Sequence, residues 1–308
     1  MRIRANAIVL VALVAAGCSA AVYVNEIKSF KASTEKATQA VATFVTASDE
    51  IADRNRLRRA ILEQGSVSIE LSAECNAAAP SAANPCRVLL NGTPAEVKPG
   101  VGTAKVLELM TLLADYAASL EAVASSKDIA EATSAIGALS KDVGGLIKAF
   151  MPSTADQKSV DAIVGPFTGA ITWIAGNHLN YKRYVALKQA TDAVQPALQA
   201  GKGRLAELAM IAKADYVQRR RDEFVLSVRP ITRNPGVDAI PGVLAARKSA
   251  AEVAALINAS PAPIFDAMVK AHGELAEALK DPSRQFGTLT ASVQAFKKAV
   301  DDLTAVLP

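Results

Sequence analysis

Apolar residues recur along most of this chain at alternating spacings of three and four, the period of a helix that buries one edge. The seam is plainest near the C-terminus, where Phe286, Leu289, Val293, Phe296, Val300, Leu303 and Leu307 form an unbroken heptad pattern. Asp281-Pro282 opens that helix, since a first-turn position tolerates the missing N–H of proline. The preceding helix carries Phe265, Met268, His272, Leu275 and Leu279. Pro261 and Pro263 separate it from a third segment, Gly242 to Ser260, with Val243, Ala246, Val253 and Ile257 on its face.

Earlier in the chain, Val106, Met110, Leu113, Ala117 and Leu120 mark another helix face, and Ile129 to Phe150 predicts a helix frayed at Gly144-Gly145. Ile171, Ile174, His178, Tyr181 and Val185 give a seam running toward Gln195-Pro196, with a partner helix from about Ala197 to Val228. From about Val22 to Leu62, Ile27, Phe30, Ala37, Val41, Phe44 and Ile51 recur at heptad-like spacing. One stretch breaks the rule. Ser66 to Leu71 alternates polar and apolar, and Arg87 to Leu90 is a second short strand candidate ended by Asn91-Gly92.

No strand–helix alternation appears, which excludes a doubly wound sheet or an α/β barrel. The expected fold is all-α: an elongated antiparallel bundle of about seven or eight helices with a small β-hairpin inserted at about residues 65–100. Prolines cluster between Arg229 and Pro241, so a three-helix segment at 230–308 is expected to pack on a bundle formed by 18–229. Alanine, 62 of the 308 residues, favours helix and lets neighbouring helices approach closely. A formal charge of +4 is near balance and argues against a nucleic-acid partner, which requires a concentrated basic surface.

The first twenty residues, MRIRANAIVLVALVAAGCSA, place Arg2 and Arg4 before an apolar run from Ala7 to Ala16. That run is too short for the roughly 20 residues of a membrane span and suits a secretory signal. Ala15, Ala16 and Gly17 stand immediately before Cys18, and the segment resembles the lipobox of bacterial lipoproteins, with Ala15 where the pattern prefers Leu. The resemblance covers the leader (residues 1–17) and the cysteine alone. It implies cleavage before Cys18 and attachment of fatty chains such as palmitate, and Ser19, in place of Asp, implies sorting to the outer membrane, facing the periplasm.

With Cys18 assigned to lipid, Cys75 and Cys86 remain as an even pair in an oxidising compartment. A zinc site would need further Cys or His nearby, and a redox pair would need CxxC spacing; neither exists. A structural disulfide follows, closing a loop worth about 3 kcal/mol by chain entropy and tying the inserted hairpin.

Candidate chemistry is sparse. The two histidines, His178 and His272, fall on helix seams, but the residues three before them are Ala175 and Val269, so the Glu-x-x-His pairs of di-metal bundles are missing. No phosphate-loop, dinucleotide or nucleophile-elbow motif occurs. No metal, cofactor or catalytic residue is expected. Ala162 to Asn177 is uncharged and holds the single tryptophan, reading as a proline-kinked core helix. Trp173, His178 and His272 are the candidate residues for a small apolar or lipidic ligand held between helices. Arg54, Arg58, Arg219, Arg220 and Arg221, with Arg56 and Arg59 beside the first two, are candidate contacts for an anionic partner or, more simply, cations at helix C-termini. The leading expectation is a non-enzymatic, lipid-anchored binding or scaffolding protein whose partners are the membrane and another envelope protein. A carrier or sensor of an apolar ligand is the alternative.

Overall fold

The structure is a computed structural model, and it describes residues 23–64, 69–72, 88–90, 93–94, 101–151, 179–233, 240–281 and 286–307. Among these the chain is all-helical apart from three short strands. The helices are α1 (Val24–Gln64), α2 (Val101–Ser125), α3 (Ile129–Phe150), α4 (Leu179–Arg233), α5 (Ile240–Asn258), α6 (Ala262–Lys280) and α7 (Phe286–Thr304). Strand β1 (Ile69–Leu71) pairs antiparallel with β2 (Val88–Leu90), Glu70 opposite Leu89, and β2 pairs with β3 (Thr93–Pro94). Cys18, Cys75 and Cys86 lie outside the described residues.

The heptad positions do what their spacing demands. Ile27, Phe30, Ala37, Val41, Phe44 and Ile51 of α1 are buried, as are Val106, Met110, Leu113, Ala117 and Leu120 of α2. On α7 the buried stripe is Leu289, Val293, Phe296, Val300 and Leu303. Full burial of each large aliphatic or aromatic side chain contributes about 1.5–3 kcal/mol, so these stripes dominate the helix–helix energetics.

The chain groups into two compact units made of interleaved stretches. The first draws on residues within 1–41, 105–210 and 260–305, the second on 42–104, 211–259 and 306–308. Helices α1 and α4 therefore contribute to both, as does α2 through its first four residues.

Four local expectations change. Helix α3 is continuous through Gly144-Gly145, held by an N-terminal box: the Asp128 carboxylate accepts from the Glu131 N–H at 2.8 Å, and Glu131 accepts from the Lys127 N–H at 2.6 Å. Helix α4 runs through both Pro196 and Pro230 instead of breaking at either. An interior proline costs about 3 kcal/mol and frees the carbonyl four residues earlier, here that of Asp192. Burial of Ala190, Val194, Ala197 and Leu198 around Pro196 offsets that loss. On α5 the expected Ala246 and Val253 are buried, joined by Leu256, whereas Val243 and Ile257 point outward. Finally, α7 runs parallel to α1, not antiparallel: Tyr23 meets Phe286, Phe30 meets Phe296 and Lys36 meets Asp301. Helix α6, packed against α7, already supplies the antiparallel neighbour.

Candidate functional site

The most distinctive polar arrangement in the first unit is centred on His272, which is fully buried on α6. Its Nε2 lies 2.8 Å from the Tyr116 hydroxyl of α2, and its Nδ1 lies 2.6 Å from Oε1 of Gln195 on α4. An amide oxygen only accepts, so Nδ1 carries the proton and Nε2 accepts from Tyr116. Gln195 in turn donates through Nε2 to the Val269 carbonyl across a long 3.4 Å. The rings of Phe30 and Tyr116 flank the imidazole at 6.0 and 5.7 Å. The result is a chain of hydrogen bonds through three helices inside an aromatic sleeve. Burial pushes the His272 pKa down to about 3 and the Tyr116 hydroxyl well up, so both stay neutral near pH 7.

Gly273 makes this geometry possible. A Cβ there would stand 2.9 Å from Nε2 of Gln195, too close for the amide to lie against α6. A cleft of about 360 Å³ opens on the outer side of the same crossing, lined by Asp192, Gln195, Pro196, Gly273, Glu274 and Lys280 among others. Within it the Lys280 ammonium lies 3.1 Å from both Asp192 and Glu277.

Two tyrosines close the end of α6. The last carbonyls of a helix have no donor of their own. Ala278 accepts from the Tyr23 hydroxyl at 2.9 Å, and Leu279 accepts from the Tyr184 hydroxyl at 2.5 Å. In the second unit Lys213 plays the corresponding role for α5, its ammonium donating to the Ile257 carbonyl at 2.9 Å and to that of Ala259. Burial lowers the Lys213 pKa.

The arginine clusters sit in the second unit on a ladder between α1 and α4. Ser48 donates to Asp215 at 2.7 Å, and Arg219 pairs with Asp215 at 2.9 Å and Asp49 at 3.6 Å. Asn55 donates to the Arg219 carbonyl, while Arg54 and Arg58 reach Glu223 at 3.2 and 3.5 Å. Arg59 pairs with Asp222 at 3.0 Å, and Arg220 joins Glu223 at 2.8 Å to Glu252 of α5. Arg219 to Arg221 lie about three turns before the end of α4, so they are not the helix-end cations their local sequence suggests. Arg221 is exposed and makes no ion pair with a described residue.

Of the sequence-derived ligand candidates, Trp173 and His178 lie outside the described residues, and His272 has both ring nitrogens committed within the core. Tyr116, Gln195 and Gly273 were not singled out by sequence. The available signal was polar: Tyr116 and Gln195 interrupt apolar seams, and a seam histidine needs two partners. Among the described residues no group of three or more His, Cys, Asp or Glu side chains is placed to hold a metal ion, and no helix is long and apolar enough to cross a membrane. No known family, curated protein or solved structure matches the chain.

Proposed function

We propose that this protein is a lipid-anchored, non-enzymatic helical component of the bacterial cell envelope, facing the periplasm from the outer membrane, that binds or scaffolds another envelope protein. In this reading Cys18 carries the fatty chains, and a Cys75–Cys86 disulfide ties the segment between β1 and β2. The anchor rests on the lipobox-like sequence.

The observation that carries the binding role is the outer face of α5. Ile240, Val243 and Leu244, spaced as one helical stripe, are 55%, 52% and 61% exposed, whereas the inner face buries only Ala246, Val253 and Leu256. Large aliphatic side chains clustered this way on a surface helix favour coverage by a partner. The sealed environment of His272 favours a structural role for that histidine over ligand capture.

The test is a Val243→Glu/Leu244→Glu double variant in intact envelopes, compared with wild type after chemical cross-linking and co-purification. The expected result is loss of a wild-type cross-linked partner with an unchanged melting transition. An identical set of cross-linked partners would refute the binding face.

A further inference from the structure

We propose that one end of the first unit, where Tyr23 enters, docks directly on the bilayer surface through Ile129 and Tyr181; this rests on the lipid-anchor reading. Tyr23 is only five residues beyond Cys18 and is locked into the core, its hydroxyl on the Ala278 carbonyl and its ring stacked on Phe286 at 5.1 Å. Five residues fully extended reach at most about 17 Å, so an acylated Cys18 leaves no room for a flexible tether. The end of the unit that holds Tyr23 must therefore stay beside the headgroups.

The same end collects the last turn of α6, the first turns of α1, α4 and α7, and the α2–α3 junction. Tyr184 caps Leu279 of α6, and the Arg183 guanidinium donates to the Ser126 hydroxyl at 3.0 Å, which brings the start of α4 to that junction. Within about one turn of these contacts stand Ile129, 42% exposed, and Tyr181, 48% exposed. The other large apolar side chain exposed among the described residues of this unit is Met210, at the opposite end near Ser260. Charge does not single out this end: Lys127 and Lys28 are exposed there, but so are Glu131 and Asp281. The feature that fits a bilayer is an aliphatic and an amphipathic aromatic side chain, the types that partition at the headgroup–acyl boundary. Such side chains enter that boundary by about 5–10 Å without spanning the membrane.

The test uses the full-length lipidated protein, purified from membranes and reconstituted into vesicles of phosphatidylethanolamine and phosphatidylglycerol. The photocrosslinker p-benzoylphenylalanine replaces Ile129, Tyr181 or Met210, all exposed, so folding is retained. Mass spectrometry reads lipid adducts at these positions and the acylation state of Cys18. Adducts at 129 and 181 with none at 210 are the expected result. Adducts at all three positions, or at none, on a protein with acylated Cys18 would overturn the docking surface and leave the anchor intact. A bare Cys18 thiol would remove the anchor and this inference together.

Discussion

The two units solve the same packing problem with different chemistry. In the first, the network at the buried centre is neutral: Tyr116, His272 and Gln195 satisfy one another, and tyrosine hydroxyls cap α6, while ion pairs such as Lys36–Asp301 and Lys280–Asp192 lie at the surface. In the second, α1, α4 and α5 are held by a ladder of ion pairs around Arg219, Arg220 and Glu223, and an ammonium caps α5. Six of the nine large apolar side chains exposed among the described residues, Ile211, Val225, Ile240, Val243, Leu244 and Ile257, belong to this second unit. A neutral, sealed core is insensitive to salt and intolerant of substitution. Ion pairs that are only partly buried are screened by salt, yet they hold helices whose outer faces remain available.

The sharpest way to break this contrast is acid. The folded pKa of His272, about 3, lies below the ordinary value of 6.5, so the unfolded chain takes up a proton that the folded chain refuses. Stability from this residue is complete above pH 6.5 and falls as pH drops toward 3, by on the order of 5 kcal/mol at the limit. Asp142 and Asp49, whose carboxyl pKa values are raised by burial, act in the opposite sense. Denaturant titrations at a series of pH values should show the loss, and a His272→Phe variant should lack the part of it between pH 6.5 and 3. At neutral pH that variant leaves the Tyr116 hydroxyl and the Gln195 carbonyl without their partner. It should lose about 2–4 kcal/mol, with amide exchange accelerated first in α2 and α6.

A steric prediction comes next. A Cβ at Gly201 would fall 2.1 Å from Cδ1 of the Phe150 ring. Gly201→Ala should therefore cost about 1–3 kcal/mol by displacing that ring, measured as a lowered urea midpoint. For the second unit, Glu223→Gln removes the shared partner of Arg54, Arg58 and Arg220. A loss of about 1–2 kcal/mol is expected, shrinking in high salt and read as faster amide exchange in α5. If His272→Phe loosened the second unit as much as the first, or if Glu223→Gln proved indifferent to salt, the contrast between the units would fail. The smallest effect is a gain. A Cβ at Gly145 meets only Leu112 Cδ2, at 3.6 Å, so Gly145→Ala should raise stability by about 0.5–1 kcal/mol.

The helices were legible because their buried stripes are long and strictly periodic; α1, α2 and α7 follow their heptads almost residue by residue. Proline was misleading. Pro196 and Pro230 read as breaks, but tertiary burial on both sides of Pro196 outweighs one lost hydrogen bond. The partial mismatch on α5, where Ala246 and Val253 are buried as their spacing predicts but Val243 and Ile257 are not, has a related cause: an alanine-rich helix with few large side chains leaves the edges of its buried face poorly marked in the sequence. The His272 network was half legible, since the histidine announced itself but its partners lie 77 and 156 residues away. The arginine ladder was invisible for the same reason, its carboxylates being brought in by the register of α1 against α4.

Tyr23 has one further consequence, for how the molecule is made. Its partners, Ala278 and Phe286, are more than 250 residues downstream, so the first unit cannot close until nearly the whole chain has been synthesised. Until then the emerging N-terminal helix displays Ile27, Phe30, Ala37 and Val41 with no one to bury them. Exposed apolar surface of this kind makes an incomplete chain prone to aggregation.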